Sequence, residues 1–217
     1  MVKVKVCGLT NAGDALFALQ SGADYAGFIV DVPVETPRKI TLKQAAEMLQ
    51  EVERKQVVFV LMPSTLKQVE AALELKPFAI QFHGHETPEF IAAVKGISSK
   101  TRLIKAIHVK KNSTFEETNK AMESHTSQAD YLLLDTETEK LGGTGETHDW
   151  RLAAKLVEST DTPVFLSGGL NPGNAREAIL KVNPHGLDAS SGLESTPGVK
   201  DHTKIGLFLE EAGKCST

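Results

Sequence analysis

The chain alternates between short, mostly apolar runs and longer segments in which apolar residues recur every three or four positions. The short runs are rich in β-branched residues, which is typical of buried strands in a parallel sheet. They predict eight strands, at Val2–Val6, Tyr25–Val30, Val57–Leu61, Ala79–Phe82, Leu103–Ile107, Tyr131–Leu134, Val164–Leu166 and Gly186–Ala189.

The longer segments predict one helix after each strand, because their apolar residues would share one face. The predicted helices are Ala12–Ser21, Leu42–Glu53, Leu66–Leu75, Pro88–Lys95, Phe115–Ser124, Trp150–Glu158, Ala175–Val182 and Val199–Glu211. Residues that favour helix starts support three of them. These are Thr41 before the second helix, Ser64 before the third and Thr87-Pro88 at the start of the fourth.

Eight strand-helix units in 217 residues leave about 27 residues per unit, close to the least that such a unit can occupy. No linker or low-complexity stretch interrupts the alternation. We therefore predict one α/β domain over residues 1–217, a single-domain (β/α)8 barrel of the TIM-barrel type. The alternative is an open doubly wound sheet, which usually has fewer strands and carries its glycine-rich fingerprint in the first unit, where this chain has Cys7-Gly8-Leu9-Thr10-Asn11.

Charge and hydropathy narrow the choice of partners. The net charge is −4 with both signs mixed along the chain, so no basic stripe is present for nucleic acid. No apolar run approaches the roughly 20 residues of a membrane-spanning helix, and the first residues alternate like a strand instead of forming a signal peptide. We expect no nucleic-acid or membrane partner, a cytoplasmic location, and either a monomer or a homodimer.

Two glycine-bearing loops predict a phosphate site. Ser167-Gly168-Gly169-Leu170 follows the seventh strand and Ser190-Ser191-Gly192 follows the eighth. Glycine lets backbone N–H groups converge on an anion, and in (β/α)8 barrels the loops after the last two strands commonly bind phosphate. We therefore expect a small phosphorylated ligand. The residues expected to bind its phosphate are Gly168, Gly169, Ser190, Ser191 and Gly192.

Polar residues at the C-terminal ends of barrel strands are catalytic candidates, because these ends form the mouth of the barrel. Cys7 would be a general base, better still if positive surroundings lower its pKa, or else a small buried hydrophobe. Asp135 would be an acid whose pKa burial raises, or else a cap for the following Gly142-Gly143-Thr144-Gly145 segment. The first and sixth strands lie three steps apart around the ring, so a ligand held at the seventh and eighth could reach both residues.

Two further residues are binding candidates. Arg38 lies in the long loop after the second strand, where its fork would suit a carboxylate, unless it is an ordinary surface arginine. His83 follows the fourth strand and would orient a ligand or merely fill the mouth. We expect no metal site from His83, His85 and Glu86, because in a strand-like stretch the two histidines share a face that Glu86 does not.

Lys105 is compatible with a different reaction class, that of a lyase. A lysine inside the fifth strand is where a lyase would place a Schiff-base nucleophile. Its structural alternative is an ion pair with a carboxylate of a neighbouring strand, Asp135 or Asp188.

Taken together, seven motifs in this order resemble those of the phosphoribosylanthranilate isomerases, and they cover nearly the whole chain. The motifs are Lys5-Val6-Cys7-Gly8-Leu9-Thr10-Asn11, Thr36-Pro37-Arg38, Ile80-Gln81-Phe82-His83-Gly84, Leu133-Leu134-Asp135, Leu141-Gly142-Gly143-Thr144-Gly145, Ser167-Gly168-Gly169-Leu170-Asn171-Pro172 and Asp188-Ala189-Ser190-Ser191-Gly192-Leu193-Glu194.

The resemblance implies an Amadori rearrangement in tryptophan biosynthesis, with no metal or organic cofactor. N-(5-phosphoribosyl)anthranilate would become 1-(2-carboxyphenylamino)-1-deoxyribulose 5-phosphate. It implies that Asp135 is the general acid, which protonates the furanose ring oxygen, and that Cys7 is the general base, which removes the C2′ proton. It also places Arg38 near the anthranilate carboxylate and the two glycine loops on the phosphate.

Two alternatives remain beside this interpretation. A histidine-pathway aminoaldose isomerase performs a related reaction, but it resembles this chain with an aspartate where Cys7 stands. A non-catalytic barrel that binds a phosphorylated ligand would keep the glycine loops and tolerate the loss of Cys7 or Asp135. The loop Asp31-Val32-Pro33-Val34-Glu35 differs from the family pattern, so the reach of Arg38 depends on the path of that loop.

Overall fold

Eight parallel strands form a closed barrel in the computed structural model, which describes residues 2–98, 100–110, 112–136 and 150–215. The strands are β1 (Lys3–Cys7), β2 (Tyr25–Val30), β3 (Val57–Leu61), β4 (Ala79–Phe82), β5 (Arg102–Val109), β6 (Tyr131–Thr136), β7 (Val164–Ser167) and β8 (Gly186–Ala189). Each strand pairs with its neighbours in chain order, and β1 closes the ring by pairing with both β2 and β8. The predicted (β/α)8 fold is confirmed.

One helix follows each barrel strand. The helices are α1 (Ala12–Gln20), α2 (Leu42–Met48), α3 (Leu66–Glu74), α4 (Pro88–Ile97), α5 (Phe115–Glu123), α6 (Trp150–Glu158), α7 (Ala175–Val182) and α8 (His202–Gly213). Thr41 caps α2 through a reciprocal pair of hydrogen bonds with Gln44, and Thr87 caps α4 by accepting from Phe90 N. No helix within the described ranges is long and apolar enough to cross a membrane.

Two predicted helix boundaries and one predicted cap are wrong. Helix α2 ends before Glu53, and the N-cap of α3 is Thr65 instead of Ser64. Helix α8 does not begin at Val199, because Val199–Lys200 pairs as a short antiparallel strand with Glu194–Thr196. A further two-residue strand, at residues 39–40, extends the sheet beside β2.

Strands β5 and β6 run further than their apolar residues suggest. The register pairs His108 with Asp135, so the ladder continues through two polar residues that sequence patterning takes as loop. Alternation along a strand sends every second side chain into the barrel. Inside the barrel an apolar interior cluster is formed by Val58, Ala79, Ile104, Ala106, Leu133 and Phe165. His108 and Asp135 lie two residues after Ala106 and Leu133, so they point into the same interior at the mouth.

Candidate active site

The thiol of Cys7 lies at the C-terminal end of β1, buried to 6% exposure. Lys5 is two residues earlier on the same face, and its Nζ lies 2.9 Å from Asp188 Oδ2 on β8. Gly27 on β2 lies opposite Cys7 on β1, and a methyl group at Gly27 would lie 2.9 Å from the Cys7 sulfur. The glycine therefore leaves room for the thiol above a buried ion pair.

Burial raises the pKa of the Cys7 thiol above its ordinary value. The ammonium groups of Lys5 and Lys200 lower it, while Asp188 raises it further, and burial prevails. The sequence left open whether positive surroundings lower this pKa; the two lysines are present, but they do not outweigh burial. In the free protein the thiol holds its proton at neutral pH.

Asp135 contacts two imidazoles at the end of β6. Its Oδ2 lies 3.3 Å from His83 Nε2 and 3.5 Å from His108 Nδ1. Burial alone would raise the pKa of the carboxyl, but the contacts with His108 and His83 outweigh burial and hold the pKa below its usual range. The expectation that burial keeps this carboxyl protonated near neutral pH is therefore wrong, because sequence patterning did not anticipate the imidazoles.

Hydrogen bonds fix both imidazole rings. The amide nitrogen of Gln81 lies 3.1 Å from His83 Nδ1, and His108 Nε2 lies 3.0 Å from the carbonyl oxygen of His83. Within the described ranges, His83, His108 and Asp135 are the residues whose ligand atoms lie close enough together, within 4.8 Å, to hold a metal ion. The hydrogen bonds that fix the two rings leave this cluster arranged to exchange protons with Asp135. The cluster does not include His85 or Glu86, the partners weighed from the sequence.

The two glycine loops meet at the mouth of the barrel. Gly168 and Gly169 adopt φ of 99° and 62°, which side chains disfavour. Gly192 packs against the other loop so closely that a methyl group there would lie 2.0 Å from the Leu170 carbonyl oxygen. Ser190 Oγ has no hydrogen-bond partner among the described residues. The structure therefore brings the predicted phosphate-binding residues together, beside a buried hydroxyl that no described side chain or backbone group hydrogen-bonds.

Arg38 reaches the same end of the barrel. It crosses Gly8, where a methyl group would lie 2.8 Å from Arg38 Cδ and also 2.8 Å from Ser190 Oγ. Its Nε and Nη2 donate to the two carboxylate oxygens of Glu194 at 2.7 and 2.6 Å, and Lys200 also pairs with Glu194 at 2.9 Å. Two of the five guanidinium N–H groups are therefore used to fix the side chain beside the mouth.

Lys105 is not directed into the barrel. Ile104 and Ala106 belong to the interior cluster, so the side chain between them points outward. Its Nζ lies 2.9 Å from Glu86 Oε2 and 2.7 Å from the Gly84 carbonyl oxygen. An ion pair was one of the two interpretations of this lysine, but its partner is neither Asp135 nor Asp188. The Schiff-base interpretation is wrong on geometry.

Sequence reasoning assigned no role to three polar residues that the structure places near the proposed site, His108, Lys5 and Glu194. Alternation could have found two of them, because Lys5 shares a face with Cys7, and His108 shares a face with the apolar interior of β5. Glu194 carries no such signal, since it follows a short turn beyond β8. The Leu141-Gly142-Gly143-Thr144-Gly145 motif lies outside the described residues.

Comparisons with known proteins agree with this architecture. The family model for N-(5′-phosphoribosyl)anthranilate (PRA) isomerase matches residues 4–211. The N-(5′-phosphoribosyl)anthranilate isomerase of Methanocaldococcus jannaschii is 38% identical over 218 residues, covering 97% of this chain and 96% of the relative. The corresponding protein of Methanocella arvoryzae is 39% identical over 214 residues, covering 97% and 98%.

Solved structures extend the match. The crystal structure of phosphoribosyl anthranilate isomerase from Thermotoga maritima superposes with a TM-score of 0.84 at 35% identity, covering 99% of this chain and all of that one, 100%. A phosphoribosyl anthranilate isomerase in complex with reduced 1-(o-carboxyphenylamino)-1-deoxyribulose 5-phosphate gives a TM-score of 0.81 at 33% identity, with coverage of 99% and 100%.

Proposed function

Because the chain belongs to the N-(5′-phosphoribosyl)anthranilate isomerase family, we propose that Cys7 and Asp135 carry the two proton transfers of its reaction. The chain is an isomerase of tryptophan biosynthesis. The substrate is N-(5′-phosphoribosyl)anthranilate, and the product is the aminoketose 1-(2-carboxyphenylamino)-1-deoxyribulose 5-phosphate.

The observation that carries this assignment is the placement of the two groups around the glycine loops. Cys7 ends β1 and Asp135 lies near the end of β6, both at inward-facing positions. Strands β7 and β8, which bear the loops, lie between them in the sheet. A sugar held by its phosphate at these loops has one flank toward the thiol and the other toward the carboxyl.

The loops and Arg38 would hold the two ends of the substrate. Backbone N–H groups of Gly168 and Gly169, together with Ser190, Ser191 and Gly192, bind the phosphate. Arg38 contacts the anthranilate carboxylate through Nη1, since Nε and Nη2 already donate to Glu194. Fixing both ends presents the ribose ring between the acid and the base.

The reaction then needs one proton at each flank. Asp135 protonates the ring oxygen, the C1′–O bond breaks, and the nitrogen lone pair forms a Schiff base at C1′. Cys7 as thiolate removes the C2′ proton to give the enolamine, which tautomerises to the ketose. The thiol has a raised pKa, so its thiolate is scarce at neutral pH but is a strong base once formed.

A turnover assay with freshly prepared N-(5′-phosphoribosyl)anthranilate tests the proposal. Cys7→Ala and Asp135→Asn should each lower kcat by about 10²- to 10⁴-fold with little change in KM, because each removes a group that acts on reacting atoms. This corresponds to about 3–5 kcal/mol of transition-state stabilisation. Cys215→Ala is the matched control and should leave kcat unchanged, since Cys215 lies beyond α8.

Two results would contradict the proposal in different ways. Wild-type protein without turnover would remove the assigned reaction. Full activity in both variants would remove the assigned residues and favour other groups at the mouth.

We also propose that the chain forms one domain, because β1 pairs with β8 and so joins residues 3–6 to residues 186–189. We further propose a cytoplasmic location and a monomer or homodimer; a Thermotoga maritima relative is described as dimeric.

A further inference from the structure

His108 sits beside the carboxyl group that the proposed reaction requires as an acid. The pattern of hydrogen bonds around it constrains where its protons lie. His108 Nε2 faces the His83 carbonyl oxygen at 3.0 Å, and a carbonyl oxygen only accepts, so Nε2 carries a hydrogen. A neutral ring would then present a bare Nδ1 lone pair to Asp135 Oδ2, at 3.5 Å.

Two acceptors facing each other repel, so one further proton belongs to this pair. It lies either on Nδ1, which makes the ring an imidazolium beside a carboxylate, or on Oδ2, which makes a carboxylic acid beside a neutral ring. Both arrangements hold the same proton on the line between Nδ1 and Oδ2. A carboxyl with a lowered pKa therefore has a proton within one transfer of it.

His83 is arranged differently, although it contacts the same carboxylate oxygen. The Gln81 amide nitrogen donates to His83 Nδ1 at 3.1 Å, which places the ring hydrogen on Nε2, toward Asp135. With its ring hydrogen on Nε2, His83 needs no additional proton to donate a hydrogen bond to Asp135. Of the two imidazoles, His108 is the one placed to store a proton.

The charges around His108 come from three parts of the chain: β6, β5 and the segment between β4 and α4. On β6 Asp135 faces its Nδ1, and beyond β4 His83 and the exposed His85 place their rings 5.2 and 5.8 Å from its ring. On β5 Lys105 opposes a charge on the ring, and Glu86 pairs with that lysine at 2.9 Å. The contact with Asp135 prevails and raises the pKa of His108 above its ordinary value.

We propose that His108 supplies the proton that Asp135 delivers to the ring oxygen of the substrate, an inference that rests on the proposed isomerase function. The Nδ1 proton moves to Oδ2, and the carboxyl proton moves to the ring oxygen as the C1′–O bond breaks and its electron pair stays on oxygen. Solvent then reprotonates His108, whose side chain is 29% exposed, while the Cys7 thiol releases to solvent the proton taken from C2′. His108 acts through Asp135 and is a positioning residue that also carries charge.

The first test is the effect of His108→Gln on the wild-type reaction. Glutamine retains an N–H for the His83 carbonyl but cannot carry the extra proton. We expect kcat to fall by about 10-fold or more with KM within about 2-fold of wild type, because only the proton supply is lost. His85→Gln changes an exposed imidazole of the same neighbourhood and should leave both constants unchanged. Unchanged kcat in His108→Gln would overturn the inference.

The second test separates proton supply from packing. Imidazole added to His108→Ala should restore part of the lost kcat, whereas pyrazole, a ring of the same size that stays unprotonated at neutral pH, should not. Equal rescue by both rings would show that the ring only fills space and would overturn the inference. Loss of wild-type activity in EDTA with recovery on adding Zn²⁺ would also overturn it, because His108 Nδ1 would then bind a metal.

A third measurement does not depend on turnover. Titration of the His108 ring by NMR should give a pKa above the ordinary histidine value in wild type and a lower one in Asp135→Asn. The same pKa in both proteins would overturn the coupling. Failure of the isomerase assignment would appear as a wild type without turnover, whereas each result that overturns this inference is obtained with a wild type that turns over its substrate.

Discussion

The two flanks of the barrel mouth prepare their proton-transfer groups by opposite means. The thiol flank consists of Cys7, Lys5 and Asp188, and all three side chains are buried. The carboxyl flank consists of Asp135, His83 and His108, whose side chains are 27–30% exposed. Burial prevails at the first flank and raises the pKa of the thiol, whereas charged and polar partners prevail at the second and lower the pKa of the carboxyl.

The difference shows that the direction of a pKa shift depends on how completely the group is removed from water as well as on the number of its charged partners. Lys5 and Lys200 both favour a thiolate at Cys7, yet burial and Asp188 outweigh them because a thiolate without water is costly. At Asp135 two imidazoles suffice, since part of the carboxyl keeps its contact with water. In the free protein the proposed base, Cys7, therefore holds its proton, and the proposed acid, Asp135, is a carboxylate.

The largest expected effect is on the ion pair beneath the thiol. Lys5→Met leaves Asp188 buried and unpaired, so the free energy of unfolding in urea should fall by about 3–5 kcal/mol. Lys3→Met is the matched control on the same strand face, because the Lys3 pair with Asp24 is 43% and 27% exposed and should contribute about 0–1 kcal/mol. Equal losses of unfolding free energy in the two variants would show that water reaches the Lys5–Asp188 pair at the thiol flank.

The second-largest expected effect is a difference between the alkylation rates of the two cysteines. At neutral pH iodoacetamide should alkylate Cys7 about 10-fold or more slowly than Cys215, because Cys7 is buried and burial raises its pKa. Mass spectrometry of the two cysteine peptides over time gives both rates in one sample. A Cys7 rate equal to or above that of Cys215 would mean that the lysines, and not burial, control the thiol.

The smallest effect concerns stability and pH at the carboxyl flank. The pKa of Asp135 is lowered on folding, so its contribution is fully present above the unfolded aspartate value of about 3.9 and is lost as pH falls below it. Asp135→Asn should therefore lower the free energy of unfolding by about 1 kcal/mol at pH 5 to 6, and the difference from wild type should shrink in more acidic solution.

Thermal or urea unfolding at several pH values measures that difference. Asp161→Asn, at an exposed position of the turn before β7, is the control and should track the wild type throughout. A gap between Asp135→Asn and wild type that widens as the pH falls below 4 would reverse the sign of the coupling and contradict the comparison.

The sequence predicts the barrel well because its strands are apolar and its helices have one apolar face, and both signals repeat eight times. It predicts which residues lie at strand ends, so Cys7, Asp135 and the glycine loops are found without coordinates. It fails where polar residues continue a strand, as at His108, because a polar residue after an apolar run also signals a loop.

The sequence does not predict the pKa directions of the site residues. The pKa direction of Asp135 depends on residues brought in from β4 and β5, and that of Cys7 depends on how completely β2 and β8 cover it. Neither quantity is a property of the local sequence. Glu194, which holds Arg38, is 156 positions away from it along the chain and carries no pattern that links the two.

The closure of the ring through β1 sets an order on biosynthesis. The strand that ends in the thiol is made first, but one of its two neighbours, β8, ends only at Ala189. Because a nascent chain leaves the ribosome from its N-terminus, the wall behind the sulfur stays open until β8 has been made. Catalytic competence therefore requires synthesis through Ala189, and termination before that residue leaves a chain without it.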